Sequence, residues 1–422
     1  MRARCLFAIL LLLLAACDGV QDERQVVRFW ALGSEGEAIA KLIPIFEREH
    51  PDIRVELQTV PWTAAHAKLL TAYAGGVLPD VSQVGNTWIA EMAALGALEP
   101  LDARVAATPG IEVADYFPGI WQTNVVDGTL YGLPWYVDTH VLFYRRDLLA
   151  RAGVKRPPQT LDELRRALAA IRRLDGGRHY GMYVPTNEFQ PLMVLGLQGG
   201  EPLLRDGGRY GNFRSRDFGR ALTYYKALFD DGLAPPISNQ EISNVYDEFA
   251  RGYFAFYLTG PWNVEQFNTR LPPAMRGRWA TTPMVGLTGP GNSTAGGSSL
   301  VLLRTAHAKT AAWTLMAWLS RPDIQAAFHG VSGDLPPRRS VWARGAIAGD
   351  PRMVAFASQL EHVRPAPPVP EWERIAELIM LAGQRVARGE RSVAAAQAEL
   401  DQETDRLLER RRWLLARAEA RP

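Results

Sequence analysis

The chain has 422 residues, 47% of them apolar and 22% charged, with a formal net charge of +2. That composition is ordinary for a soluble globular protein, and the length allows two or three domains' worth of core. The near balance of charge gives no bulk reason to seek nucleic acid or a charged membrane surface.

The start of the chain is expected to leave the fold. "MRARCLFAILLLLLAAC" carries Arg2 and Arg4, then an apolar run over residues 6–14, then small residues. This is a secretory signal, too short for a stop-transfer helix. It ends Leu14-Ala15-Ala16-Cys17, a lipobox pattern, so residues 1–16 are read as signal peptide and Cys17 as the thiol that takes a lipid. Cys5 departs with the signal, which leaves no internal disulfide, no Cys-based metal site and no Cys nucleophile. Residues 17–25 read as a tether from lipid to fold.

From there strand and helix alternate. "VVRFWAL" reads as a strand and "SEGEAIAKLIPIFEREH" as one amphipathic helix, with Ser34 and Glu37 forming a capping box. "IRVELQTVP" is a second strand, "WTAAHAKLLTAYAGG" a second helix, "PDVSQVG" a third strand and "TWIAEMAALGALEPL" a third helix. This order predicts a mainly parallel sheet covered by helices, with ligand bound outside the strands' carboxyl ends, here residues 31–35, 60–62 and 85–88. Further on, "TLDELRRALAAIRRL" is a helix capped by Thr160, and "DFGRALTYYKALFDDG" is another. "YFAFYLTGPWNVEQF" is strand, turn and helix, "SLVLL" a strand and "AAWTLMAWLS" a helix. The closing arginine-rich helix "DRLLERRRWLLARAEARP" reads as a solvated face.

No catalytic motif stands out: there is no H-E-x-x-H, Walker loop, G-x-S-x-G or G-x-G-x-x-G. No metal site and no cofactor are expected. What stands out instead is tryptophan in turns. Trp62, Trp88, Trp135 and Trp262 fall at predicted strand ends, where a flat ring suits the apolar face of a sugar and a nearby carboxylate can accept two hydroxyls.

The ordered series "FEREHPDIRVEL", "GGVLPDV", "DGTLYGLPWYVDTHVLFYRRDLLARAG", "RPPQTLDEL", "GYFAFYLTGPWNV", "TAGGSSLVLL" and "DLPPRRS" resembles the extracellular solute-binding proteins of bacterial ABC importers, in the carbohydrate-binding group of maltose- and trehalose-binding proteins. The resemblance implies an α/β protein of two lobes, a multi-segment hinge and a ligand cleft between them. Lobe one would be 26–135 and 283–335, and lobe two 136–282 and 336–422. It implies ligand contacts from Tyr136 and Asp138 at the first crossing. It also implies contacts from Glu35, His66, Trp262, Gly297, Ser298 and Arg338, with Asn86 where relatives have an acid nearby; Trp62 and Trp88 complete the expected site.

The expected partners are a sugar, foremost an α-linked disaccharide such as maltose or trehalose, and the permease subunits of an ABC importer. The protein would be a monomer held outside the cytoplasm, on the membrane through Cys17. Two other readings stay open: a receptor for another small solute (a polyol, glycerol-phosphate, a peptide or another oligosaccharide), and a secreted glycoside hydrolase using Glu35 and Asp138.

Overall fold

The computed structural model describes residues 24–343 and 345–420; the signal peptide and Cys17 lie outside them. Two β-sheets organise the chain. The first is five-stranded. In spatial order it runs β2 (Ile53–Val60), β1 (Gln25–Leu32), β3 (Val81–Gly85), β9 (Gly296–Leu302) and β4 (Gly132–Asp138). β1, β2 and β3 are parallel, as the alternation predicts, whereas β9 runs antiparallel to both β3 and β4. The second sheet is four-stranded: β8 (Trp279–Thr282), β5 (Val141–Arg145), β7 (Phe254–Thr259) and β6 (Tyr180–Tyr183). Only its β7–β6 pair is parallel, so the expectation of a mainly parallel sheet fails for this half.

Local chemistry explains several element ends. Thr160 caps the Leu161–Arg172 helix by accepting from the Glu163 amide at 3.2 Å, as predicted. The Ser34 cap does not form. The helix begins at Gly33, whose φ of +50° turns the chain beneath the Trp62 indole, and Ser34 is left inside the first turn. The predicted single helix over 34–50 is two, Gly33–Ala40 and Ile43–Glu49, because Pro44 has no N–H to continue the ladder.

Each sheet has its own apolar core. Phe29, Phe46, Leu300 and Leu315 pack the first, and Phe218, Leu222, Tyr225 and Ile379 the second. A third cluster joins Phe117 and Val137, from the first side, to Phe143, Phe254 and Phe356 of the second.

The chain crosses between sheets where three segments meet. β4 ends at Asp138 and β5 starts at Val141. Between them the His140 backbone bonds to Ser293 Oγ, and Nδ1 of its ring lies 3.2 Å from Thr294 Oγ1. Ser293 and Thr294 pair with Val363 and Arg364, and two residues later the chain enters β9. Leu335 bonds back to the Val137 amide.

These contacts move the expected lobe boundaries. β4 pairs with β9 through Asp138, past the boundary placed at 135. Residues 284–292 hang on the second lobe, where the Met284 amide donates to Gln359 and Asn292 to Leu197, so that crossing falls near 295 rather than 283. Arg338 is bonded to Asp115 on the first lobe, which carries that lobe beyond 335.

Candidate functional site

Between the sheets lies a cleft of about 390 Å³. Its first wall comes from the carboxyl ends of β2 and β3. Trp62 opens the Trp62–Ala74 helix after Pro61, and Asn86, Thr87 and Trp88 form a single tight turn after Gly85. The Trp62 and Trp88 rings meet edge to face at 5.7 Å. A side chain on Gly85 would press on Trp88, at 3.2 Å, so glycine leaves that indole room to lie back.

The floor comes from β4 and β9. The β4–β9 register slips between Ser298 and Ser299, whose partners are Tyr136 and Pro134. Trp135 is therefore the extra residue of a β-bulge on an edge strand, the place where a proline in a sheet is tolerated. Beyond the bulge alternation puts Tyr136 and Asp138 on the cleft side. Opposite them Gly296 and Gly297 let the strand pass close: a Cβ on Gly296 would stand 1.8 Å from Asp138 Oδ1, and Gly297 has φ +116°.

The second wall was missed in the sequence. Phe189, Gln190 and Met193 at the start of the Gln190–Gly196 helix face Trp372 and Glu373 at the start of the Trp372–Ala387 helix. His140, Thr294, Ala295 and Ala366 from the crossing segments also line the cleft. Trp372 carried a readable signal. It opens a helix just after a proline-rich run, as Trp62 and Trp262 each follow a proline at a helix start.

Six of the expected residues are brought together here: Trp62, Asn86, Trp88, Tyr136, Asp138 and Gly297. Asn86 also holds the crossing, donating from Nδ2 to the Ala295 carbonyl at 3.0 Å. Glu35 sits behind the wall rather than on it. It is 8% exposed, and its oxygens accept from Trp62 Nε1 and the Tyr136 hydroxyl, each at 3.1 Å.

The others do not line the cleft. His66 bonds Glu91 at 2.6 Å and lies against the Trp88 ring, so it braces that indole. The Ser298 hydroxyl is spent on the Val84 carbonyl across β3. Arg338 is buried in lobe one, paired with Asp115 at 2.6 Å and donating to the Gly110 and Ser320 carbonyls. Trp262 is 52% exposed and reaches the site only through His140, whose ring it meets edge-on at 5.5 Å. Trp135 is core, 2% exposed and stacked on Phe328 at 4.5 Å.

The electrostatics are acidic. Burial, reinforced by the Glu35 charge, raises the Asp138 pKa to about 6. Burial and the charges of Glu35 and Asp138 raise Asp334 to about 7. Burial alone lowers His140 to about 4, so its ring is neutral at pH 7. Among the described residues no lysine or arginine lines the cleft. Among the described residues none donates a hydrogen bond to the Asp138 carboxylate, while Glu35, behind the first wall, has both oxygens engaged. Such a site can enclose a neutral, hydroxyl-rich molecule; it offers no cation for a phosphate.

Comparison with known proteins agrees with this geometry. The sugar-binding protein MalE of Xanthomonas citri is 49% identical in sequence. Its structure superposes with a TM-score of 0.91, covering 94% of this chain and all of that one. The GacH receptor of Streptomyces glaucescens, solved unliganded and with acarbose, is 25% identical, with a TM-score of 0.77 over 92% of this chain and 99% of its own. The diacetylchitobiose-binding protein DasA of Streptomyces coelicolor is 26% identical over 250 residues, 59% of this chain and 57% of that one. The sequence profile described as bacterial extracellular solute-binding protein matches residues 30–326. The chain belongs to that family, a two-lobed family of receptors and not of enzymes.

Proposed function

We propose that this protein is the sugar receptor of an ABC importer, with an α-linked disaccharide, maltose or trehalose, as its ligand. The observation that carries the reading is Asp138. Its carboxylate faces the cleft with its acceptor capacity unspent, between the rings of Trp62 and Trp88 on one wall and Phe189 on the other, with the buried Trp372 ring backing Phe189 edge-on at 6.5 Å. Rings cover the apolar faces of a pyranose, and a carboxylate binds paired hydroxyls with charge-assisted bonds.

Closure of the lobes strips water from the sugar, and the closed form is what a permease recognises. The likeness to the sugar-binding protein MalE supports a sugar as the ligand. The lack of basic lining residues disfavours glycerol-phosphate, and a Glu35 held behind the wall disfavours a hydrolase pair facing across a cleft. The lipid on Cys17, the monomeric state and the place outside the cytoplasm belong to the same reading. Cys17→Ser is expected to move the protein from membrane to soluble fraction, or leave it unprocessed, with ligand binding intact.

A thermal-shift screen of mono- and disaccharides tests the proposal. Ligand at a hundredfold its Kd adds about 2.7 kcal/mol. A clear rise in Tm with maltose or trehalose is expected; a rise only with polyols or phosphates overturns it.

A further inference from the structure

One hydrogen bond ties the two walls of the cleft together. Thr87, on the Asn86–Trp88 turn of the first lobe, donates from Oγ1 to Oε1 of Glu373 at 2.5 Å. Glu373 lies in the first turn of the Trp372–Ala387 helix of the second lobe. Each partner is the chain neighbour of a lining tryptophan, Trp88 in one case and Trp372 in the other. The bond is thus a strut between two indole-bearing walls.

Its chemistry suits that role. The distance is that of a hydroxyl on a charged carboxylate, shorter than a neutral bond. A carboxylate is favoured at the start of a helix by the dipole, and a β-branched threonine has few rotamers to lose. Among the described residues neither side chain has another hydrogen-bond partner. The bond is exposed to solvent, and Thr87 also lines a second cavity with Gln122, Thr123 and Pro367.

We propose that the Thr87–Glu373 bridge sets the length of the ligand. It closes one end of the cleft, so a short saccharide is enclosed with the bridge intact, and a longer one must break it to extend past. This rests on the saccharide reading above. Both side chains line the cleft itself, which makes the bridge part of the ligand's boundary and not a remote lobe contact. A solvent-facing bond is modest in strength, so the gate biases the choice of length by a few-fold instead of forbidding longer chains.

The test uses Thr87→Val, which keeps the shape and loses the hydroxyl, and Glu373→Ala, which removes the acceptor. Calorimetric titration of wild type and both variants follows three ladders from two to six sugars: malto-, cello- and galacto-oligosaccharides. Wild type is expected to prefer a disaccharide. Both variants are expected to shift the ratio of tetrasaccharide to disaccharide affinity toward the longer ligand by about fivefold, the size of one ordinary hydrogen bond. General damage to the site weakens all lengths together and leaves that ratio unmoved. Two results overturn the gate while leaving the receptor reading intact: a wild type that binds tetrasaccharide as tightly as disaccharide, or variants with the wild-type ratio. A wild type that binds no member of any ladder overturns the gate, and one that binds neither a ladder member nor trehalose overturns the receptor reading as well.

Discussion

The Tyr136 hydroxyl donates to Oε1 of Glu35 at 3.1 Å, across 101 residues of sequence, while Oε2 of the same carboxylate holds the Trp62 indole. Glu35 therefore fixes two cleft-facing side chains, one at the start of the Trp62–Ala74 helix and one on β4, without lining the cleft itself. Glu35→Gln keeps the shape but turns one of the two acceptors into a donor, leaving a buried donor unpaired. Bonds to a charged group are worth about 1.5–3 kcal/mol. The expected outcome is a ligand-free protein less stable by roughly 1–3 kcal/mol in urea melts, with ligand affinity down by about tenfold. Unchanged stability and affinity would show that Trp62 and Tyr136 are held by packing alone.

The tryptophans divide into two kinds, and truncation separates them. Trp135→Ala removes a fully packed ring between Phe29 and Phe328 and is expected to cost about 3–5 kcal/mol of stability. Trp262→Ala, at a half-exposed position, is expected to shift the ligand-free Tm by only a few degrees. Its effect on ligand affinity is expected to be smaller than that of Trp62→Ala, because its ring reaches the cleft only through His140. Melting curves and titrations on the three variants check the ordering.

Much of this was legible in the sequence, and the failures share a cause. Local signals placed the β1–β3 alternation, the Thr160 cap and the β4 crossing, because each depends on neighbours in the chain. Trp135 was misplaced because a bulge breaks the strand's alternation, and a bulge is defined by the register of β9, some 160 residues away. Arg338 and Ser298 carry suitable polar groups, but only the fold shows those groups already spent on Asp115 and Val84. The second wall was missed because Phe189 and Trp372 are far apart in sequence and meet only when two helix starts converge. The lobe boundaries were misread for a similar reason, since the contacts that bind 284–292 to the second lobe leave no mark in local composition.

Arg338 is expected to matter for stability and not for ligand. Its guanidinium is buried, with Asp115 and two carbonyls as partners. Burial raises the Asp115 pKa, but hydrogen bonds from Ser340 and Arg338 outweigh that and hold it below the usual carboxylate range. Arg338→Ala leaves the Asp115 carboxylate without its cation, and breaking a buried pair in this way costs about 3–5 kcal/mol. Stability measured by denaturant should fall accordingly, with affinity within about threefold of wild type. A large specific loss of affinity would return Arg338 to the site.

Asp138 makes the binding pH-dependent. Its pKa is raised from 3.8 to about 6 by burial and by Glu35, so in the ligand-free protein it takes up a proton as pH falls through 6. Protonated, it no longer offers two charged acceptors to hydroxyls. Affinity for sugar is expected to drop by about tenfold from pH 7.5 to pH 5, following the ionised fraction. Asp138→Asn should lower affinity by roughly 10- to 150-fold at pH 7.5 and abolish the slope. The same groups set the stability curve. A carboxyl whose pKa rises on folding binds more protons folded than unfolded, so Asp138 and Asp334 make the ligand-free protein less stable as pH climbs from about 4 to 7. His140, lowered to about 4, acts the other way between 4 and 6.5, because there the unfolded chain holds the extra proton. The wild-type curve is therefore partly compensated, and Asp334→Asn is the informative comparison. Its Tm should gain on wild type as pH rises from 5 to 8. Titrations at pH 5, 6 and 7.5 and melting curves over the same range check both halves. A wild-type affinity flat from pH 5 to 7.5 would remove an ionised Asp138 from sugar recognition.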